Sequence, residues 1–106
     1  MMQTFDITTM MSHSYDERGK NVFYQTPQFK ARIIELPAGG GMPSCEMAFH
    51  VLFYVVRGEA EVQVNGEVAV IREGQCLATE PATISMKTKS GVKILGIQIA
   101  PKDGGA

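Results

Sequence analysis

Apolar and polar residues alternate along much of this chain with the two-residue period of a β-strand. Residues 60–64 carry an apolar side chain at every second position, and the alternation resumes at Val68 and Val70. The two segments are separated by Asn65-Gly66, a pair that favours a type I′ turn because both central residues must take positive φ. The pattern therefore predicts a β-hairpin over residues 59–71.

Four further segments are predicted to be strands. Residues 29–33 alternate and lead into a glycine-rich loop at 37–41. Residues 51–56 are apolar at every position, which predicts a central strand covered on one face by a barrel interior and on the other by another layer or subunit. Residues 82–87 and 92–99 flank a turn at 89–91. Since no segment shows the 3.6-residue period of a long helix, we predict an all-β sandwich or barrel.

The length and composition fit a single domain over residues 1–106. A hydrophobic content of 44% is enough for a continuous core without a metal ion or a disulfide. We expect an amino-terminal strand and loop within 1–20, with a loop or one helical turn at 10–19, and a frayed tail at 101–106.

The charge balance argues against several classes of partner. Ten Lys and Arg oppose eleven Asp and Glu, so the formal net charge of −1 gives no field that would attract nucleic acid or an anionic membrane. No apolar run approaches the about 18 residues of a membrane span, and the amino terminus lacks the basic and apolar regions of an export signal. We therefore expect a cytoplasmic protein with no membrane partner, in which Cys45 and Cys76 are free thiols.

Glycines form a framework in the middle of the chain. The first part of it reads Gly39-x5-Cys45-x-Met47-x3-Val51-x6-Gly58, and Gly74-x6-Pro81 follows after the predicted hairpin. This framework resembles the cupin family of small β-barrels, whose motifs read Gly-x5-His-x-His-x3-Glu-x6-Gly and Gly-x5-Pro-x-Gly-x2-His-x3-Asn. The resemblance covers residues 37–93 and implies a double-stranded β-helix, or jelly-roll barrel, with a metal centre of three histidines and one glutamate.

The residues at the implied ligand positions have a different chemistry. Cys45, Met47 and Val51 stand where the family has His, His and Glu, and Ser85 stands at the histidine position of the second motif. Hard divalent ions such as Fe(II) and Mn(II) prefer imidazole and carboxylate ligands, whereas a valine side chain has no electron pair to donate. We therefore expect no cofactor and no standard metal centre.

The motif still predicts which side chains face the barrel interior. Positions 45, 47 and 51 are expected to point inward together, because residues two or four apart on a strand share a face. The side chains predicted to line a cavity and to bind its ligand are Cys45, Met47, Tyr54, Cys76, Ser85 and Met86. The leading prediction is a barrel that binds or senses a small, largely apolar molecule, with the thiol and hydroxyl groups as polar contacts.

Alternative functions use some of the same residues. Cys45, Met47 and His50 could hold a soft metal ion such as copper or zinc, which would make the protein a cupin-type isomerase or oxygenase. Without a metal, Cys45 could be a nucleophile with His50 as its base, provided that the two side chains are within hydrogen-bond reach. On a regular strand, however, His50 points away from the side of Cys45.

A further alternative is a structural dimerisation module with a filled interior. We expect a homodimer in any case, because residues 51–56 need cover on their outer side and residues 22–24 add a second apolar run. Pairing through sheet faces, which is common among cupins, would supply that cover.

Overall fold

Eight strands follow a short 3₁₀ helix, Tyr15–Asn21, in the computed structural model, which describes residues 1–100. The strands are β1 (Val22–Gln25), β2 (Phe29–Leu36), β3 (Gly41–Met47), β4 (His50–Val64), β5 (Glu67–Arg72), β6 (Cys76–Thr79), β7 (Ala82–Lys87) and β8 (Val92–Ile99). The all-β prediction is confirmed, and the strands predicted at 82–87 and 92–99 have the predicted bounds.

The strands form one curled antiparallel sheet in the order β1-β2-β8-β4-β7-β3, with β5 and β6 also paired to β4. The long strand β4 holds the curl together, because residues 50–58 pair with β6 and β8 whereas residues 59–64 pair with β5 and β7. The sheet thereby closes on itself as a jelly-roll barrel, in which β2 and β3 lie near opposite ends of the strand order.

Gly58 lies where β4 passes from one half of the barrel to the other. Its φ is +84°, and a Cβ atom at this position would lie 2.1 Å from the carbonyl oxygen of Gly91. A side chain is excluded both by the left-handed backbone and by the close approach of the neighbouring chain. This requirement explains the glycine that ends the first sequence motif.

The predicted hairpin is confirmed by its turn. Asn65 and Gly66 take φ values of 48° and 88°, and Val64 pairs with Glu67 across them. Both positive angles are those of the type I′ turn that the Asn-Gly pair favours.

The barrel interior is filled by one apolar cluster. Strand β4 contributes Val51, Phe53 and Val55, each of which is at most 2% exposed, and Ile84 and Met86 of β7 pack in the same cluster. The intervening residue Tyr54 is 43% exposed. Tyr54 therefore faces outward, and no layer within residues 1–100 buries it, so the predicted cover of this face by another subunit stays a prediction.

The amino-terminal segment lies on the outer face of β2 and β8. Ile33 and Lys93 occupy outward positions on these strands, in register with Tyr54 and Arg57 of β4, yet each is only 1% exposed. The Lys93 Nζ donates hydrogen bonds to the carbonyl oxygens of Thr8 and Met10, which places the segment over them.

The strand expected within residues 1–20 is absent from this described region, which holds irregular backbone and the first part of the 3₁₀ helix. The helix agrees with the helical turn that was the alternative for residues 10–19. The frayed tail predicted at 101–106 lies outside the described residues. In the described chain, no helix combines the length and the apolar character needed to span a membrane.

Candidate functional site

The first motif points into the barrel as predicted. Cys45 and Met47 of β3 lie opposite Ile84 and Ala82 of β7, so they share the inward face of Ile84, which is fully buried. Val51 of β4 is buried in the same interior. Positions 45, 47 and 51 therefore share the interior face.

The second motif has a different register from the one read from the sequence. Met86 is the inward residue of β7 and is 3% exposed, whereas the hydroxyl of Ser85 lies 3.4 Å from Gln63 Oε1 on the outer face. The reason is the displacement of Pro81 by one residue, which also shifts the following strand by one position. Met86, rather than Ser85, faces the first motif.

The donor set at these positions does not fit the metal that the cupin resemblance implies. Val51 offers no lone pair, and Met47 and Met86 offer thioether sulfurs that are poor ligands for hard divalent ions. Among residues 1–100, no group of three or more His, Cys, Asp or Glu side chains is arranged to hold a metal ion. The residues at these positions therefore do not form the metal centre that the resemblance implies.

His50 is not brought to the interior side chains. It is the first residue of β4, it is exposed, and it lies opposite Ile99 on the outer face of the sheet. The Cys45 thiol, on the inner face, is instead within 3.9 Å of the Glu46 carbonyl oxygen. Both the Cys45, Met47 and His50 soft-metal set and the Cys45 and His50 catalytic pair are thus separated by the sheet.

Two other predicted ligand contacts also lie outside the barrel. Tyr54 and Cys76 are directly opposite each other on β4 and β6, and both are exposed. The six residues predicted to line one cavity therefore divide into two sets. Cys45, Met47 and Met86 face inward, whereas Tyr54, Cys76 and Ser85 face outward.

The structure contains a cavity at a different place, between β2, β8 and β3. It has a volume of about 60 Å³, and its apolar wall is formed by Ile34, Leu36, Met42, Met47 and Phe53. Of the six predicted residues, Met47 lines it. Because its lining includes residues of both faces of β2 and inward residues of β3 and β4, the cavity lies at the edge of β2, between it and β3.

Gly96 of β8 lines this space, and three neighbouring side chains approach its backbone closely. It pairs with Arg32 on one side and with Phe53 on the other, so the three residues form one inward-facing row. A Cβ atom on Gly96 would lie 3.3 Å from Ile34 Cδ1, and 3.6 Å from both Arg32 Cγ and Phe53 Cδ1. A glycine inside a strand commonly marks a place where another group approaches the backbone closely.

A polar wall faces the apolar one. The Nη2 of Arg32 donates a hydrogen bond to Gln98 Oε1 over 2.8 Å, and the Nε2 of Gln98 lies 3.9 Å from the sulfur of Met47. The three side chains come from β2, β8 and β3, so this network joins the strands that enclose the cavity.

The amino-terminal segment completes the lining with His13, Arg18 and Asn21. The buried Asn21 side chain holds this segment in place, because its Oδ1 accepts from the His13 backbone N–H over 2.6 Å and its Nδ2 donates to the His13 carbonyl over 3.2 Å. The cavity thus has the apolar wall on one side, and polar and cationic side chains on the other.

Sequence reasoning missed Arg32, Phe53, Gly96 and Gln98 as site residues. A signal was present in β8, where Gly96 and Gln98 share the inward face of Ile94. A glycine and a polar residue at inward positions of an otherwise apolar strand mark a break in the apolar packing pattern, where another group can approach the backbone closely.

Comparison with known proteins shows the fold. No protein-family model matches the sequence, and no curated protein is similar enough to count as a relative. A conserved protein of unknown function from Streptococcus pyogenes has a similar structure, with a TM-score of 0.76 and 14% identity over 94% of this chain and 89% of that one.

Two further similar structures have TM-scores of 0.68 and 0.65. The cupin domain of Schizosaccharomyces pombe Cnp3 is 23% identical over 76% of this chain and 61% of that chain, so the present chain spans less than two thirds of it. Salicylate 1,2-dioxygenase from Pseudaminobacter salicylatoxidans is 17% identical over 70% of this chain and 22% of that one. These likenesses confirm the cupin fold implied by the glycine framework.

Proposed function

With the cupin fold as its premise, we propose that this protein binds a small, largely apolar molecule in the cavity between β2, β3 and β8. The observation that carries the proposal is the cavity of about 60 Å³ lined by Phe53, Gly96 and Gln98, in a barrel whose interior is otherwise filled by large apolar side chains. Ligand sites are typically concave and mostly apolar, with a few polar groups that fix the orientation of the ligand. The apolar wall around Phe53 and the network of Arg32 and Gln98 supply these two parts.

The size of the cavity restricts the ligand. Its 60 Å³ has room for about four to six water-sized groups, at about 10–15 Å³ for each. Short-chain compounds of that number of non-hydrogen atoms fit without displacement of the walls. Larger ligands would extend beyond this volume.

The test uses isobutanol as a neutral probe and the methionine methyl groups as reporters. Met42 and Met47 line the cavity, whereas Met11 is exposed on the amino-terminal segment. In a titration followed by NMR of ¹³C-methyl methionine, the signals of Met42 and Met47 should shift in a saturable manner while that of Met11 stays fixed. Absence of such shifts at tens of millimolar isobutanol would overturn the proposal.

A pair of glycine variants ties the shifts to the cavity. Gly96→Ala places a methyl group in the cavity wall, and it should weaken isobutanol binding about tenfold by removing volume. Gly19→Ala adds the same group where no atom lies within 4 Å, and it should leave binding unchanged. Equal binding by the two variants would show that the probe binds elsewhere.

A further inference from the structure

We infer that the molecule bound in this cavity is a small uncharged carbonyl compound, such as a short-chain ketone, whose oxygen accepts a hydrogen bond from the side-chain amide of Gln98. The inference rests on the proposed binding function. It adds the chemical class of the ligand and names the residue that selects it.

Gln98 is a half-buried amide at an inward position of β8. It shares the inward face with Ile94 and Gly96, and it lies opposite Val51, which is 1% exposed. An apolar side chain at this position would continue the core, whereas an amide withdrawn from water must find hydrogen-bond partners. Such a departure from the apolar pattern is expected at a binding site more than at a position that serves packing alone.

The orientation of the Gln98 amide is fixed by its neighbour on β2. Its Oε1 accepts a hydrogen bond from Arg32 Nη2 over 2.8 Å. Because a guanidinium carries donors and no acceptor, the oxygen of the amide must be the end that faces it. The nitrogen is therefore directed to the other side, toward Met47 of β3.

The donor end of the amide faces a weak acceptor. Within residues 1–100, the acceptor recorded for Gln98 Nε2 is the sulfur of Met47, at 3.9 Å. A thioether sulfur is a weak acceptor, whereas an N–H donor bonds well to a carbonyl oxygen at about 2.9–3.0 Å. Since Gln98 and Met47 both line the cavity, a ligand oxygen between them would give this donor a stronger bond than the sulfur does.

The rest of the wall favours an uncharged ligand. Met42, Met47 and Phe53 surround the donor with apolar surface, against which a charged oxygen costs far more to bury than a neutral carbonyl. A ketone with a branched alkyl part places one acceptor at Gln98 and apolar groups elsewhere. 3-Methyl-2-butanone meets this description, and its six non-hydrogen atoms are within the about four to six that the volume holds.

The experiment compares this ketone with 2,3-dimethyl-1-butene, which has the same shape but no oxygen. Each is titrated into wild-type protein, with the Met47 methyl signal as the reporter of binding. The ketone should also shift the Gln98 side-chain N–H protons downfield, with the same midpoint as the Met47 signal, because they form a hydrogen bond to oxygen. The alkene should shift Met47 without this effect, and the exposed Gln63 amide should stay fixed with both.

Variants then locate the donor. Gln98→Glu keeps an oxygen that accepts from Arg32 and removes the N–H groups that face Met47. It should weaken ketone binding about tenfold, since an unpaired buried carbonyl costs about 1–3 kcal/mol, and leave alkene binding within about twofold of wild type. Gln63→Glu makes the same change at an exposed position of β4 and should leave both affinities unchanged. The Gln98 signal of wild-type protein remains a test even if the Gln98 variant does not fold.

The outcomes separate the inference from the proposed function. A ketone that shifts Met47 without shifting the Gln98 amide, or that binds Gln98→Glu as tightly as wild type, would overturn the carbonyl inference and leave a binding cavity for small molecules. Tighter binding of isobutyrate than of the ketone would overturn the preference for an uncharged ligand. Failure of isobutanol, the ketone and the alkene alike to shift the Met47 signal would overturn both the inference and the proposed function.

Discussion

Replacing Lys93 with methionine should release the amino-terminal segment from the outer face of the sheet. Lys93 is 1% exposed, and its Nζ donates to the carbonyl oxygens of Thr8 and Met10 over 3.1 and 2.6 Å. Methionine has nearly the same length and volume, so it fills the space without offering a donor. The substitution thus removes these two bonds with little change in packing.

The expected size of the effect follows from the two bonds. A hydrogen bond to a charged group contributes about 1.5–3 kcal/mol, but the two carbonyl groups regain water once the segment lifts. Removal of the ammonium group also removes its desolvation cost, which offsets part of the loss. We expect the opening free energy of the segment to fall by about 2 kcal/mol, which increases the open population about 30-fold.

Hydrogen exchange measured residue by residue distinguishes local opening from unfolding. The His13 amide, which donates to the Asn21 side chain, should exchange about 30-fold faster in the Lys93→Met variant. The Val55 amide, which donates to the Gln75 carbonyl just before β6, should keep its wild-type rate. Unchanged exchange at His13, or an equal increase at Val55, would refute the reasoning.

The matched control is Lys87→Met. Lys87 is 72% exposed, and its Nζ lies 3.2 Å from Glu61 Oε2. An exposed pair of this kind contributes about 0.2–1 kcal/mol, so this variant should leave the exchange of the amino-terminal segment unchanged. Because both variants replace lysine with methionine, a difference in exchange between them reports the effect of the burial of Lys93.

Three other perturbations test different parts of the structure. Gly58→Ala should destabilise the barrel by more than about 2 kcal/mol in chemical denaturation, from its left-handed φ and the backbone contact, whereas Gly19→Ala should change stability by less than about 0.5 kcal/mol. The Thr8 hydroxyl lowers the pKa of the Asp6 carboxyl, so the associated stabilisation is present above the ordinary pKa of Asp and is lost as the pH falls through the lowered value. Thr8→Val should raise the Asp6 pKa toward its ordinary value in a ¹³C NMR titration, and an unchanged midpoint would contradict the assignment. The homodimer stays a prediction: sedimentation should show about twice the chain mass of 11.6 kDa, and Tyr54→Glu on the exposed outer face should yield the monomer, whereas a monomer at all concentrations of the wild type would contradict it.

Local patterns predicted the strands and the hairpin because the determinants of these elements lie within a few residues. Asn65 and Gly66 set the type I′ turn by their own backbone preferences. The alternation around Val62 set the face of β4 that enters the core. Tertiary contacts reinforced these preferences, so the predictions were confirmed.

The site was harder to predict because it depends on which strands meet across the barrel. The alternation in β2 places the side chains of Ile33 and Arg32 on opposite faces of the sheet. It does not show which of the two faces is the interior one. The amino-terminal segment buries Ile33 on the outer face, so both faces of the strand carry buried apolar residues. Arg32 could then face inward, and a pattern within β2 alone contains no signal for this arrangement.

The second motif was read with the wrong residue for a related reason. Counting from Gly74 places Ser85 at the inward position, but one additional residue before Pro81 shifts the strand. Because side chains on a strand alternate between faces, a shift of one residue moves Met86 inward and Ser85 outward. Counting residues across a loop therefore predicts the direction of a side chain less reliably than counting residues within a strand.

The glycines of the motifs match the cupin pattern, whereas the residues at the ligand positions do not. The reason is that the two kinds of position support different parts of the structure. Gly58 is needed by the backbone itself, since any side chain there would collide with the carbonyl of Gly91 whatever the barrel binds. Val51 and Met86 need only fill volume, and apolar residues at these positions add to the buried core that stabilises the barrel. A barrel filled at the motif positions has room for a ligand only where the packing is interrupted. The cavity lined by Phe53, Gly96 and Arg32 is such a place, and Met47 is the ligand position of the motifs that lines it.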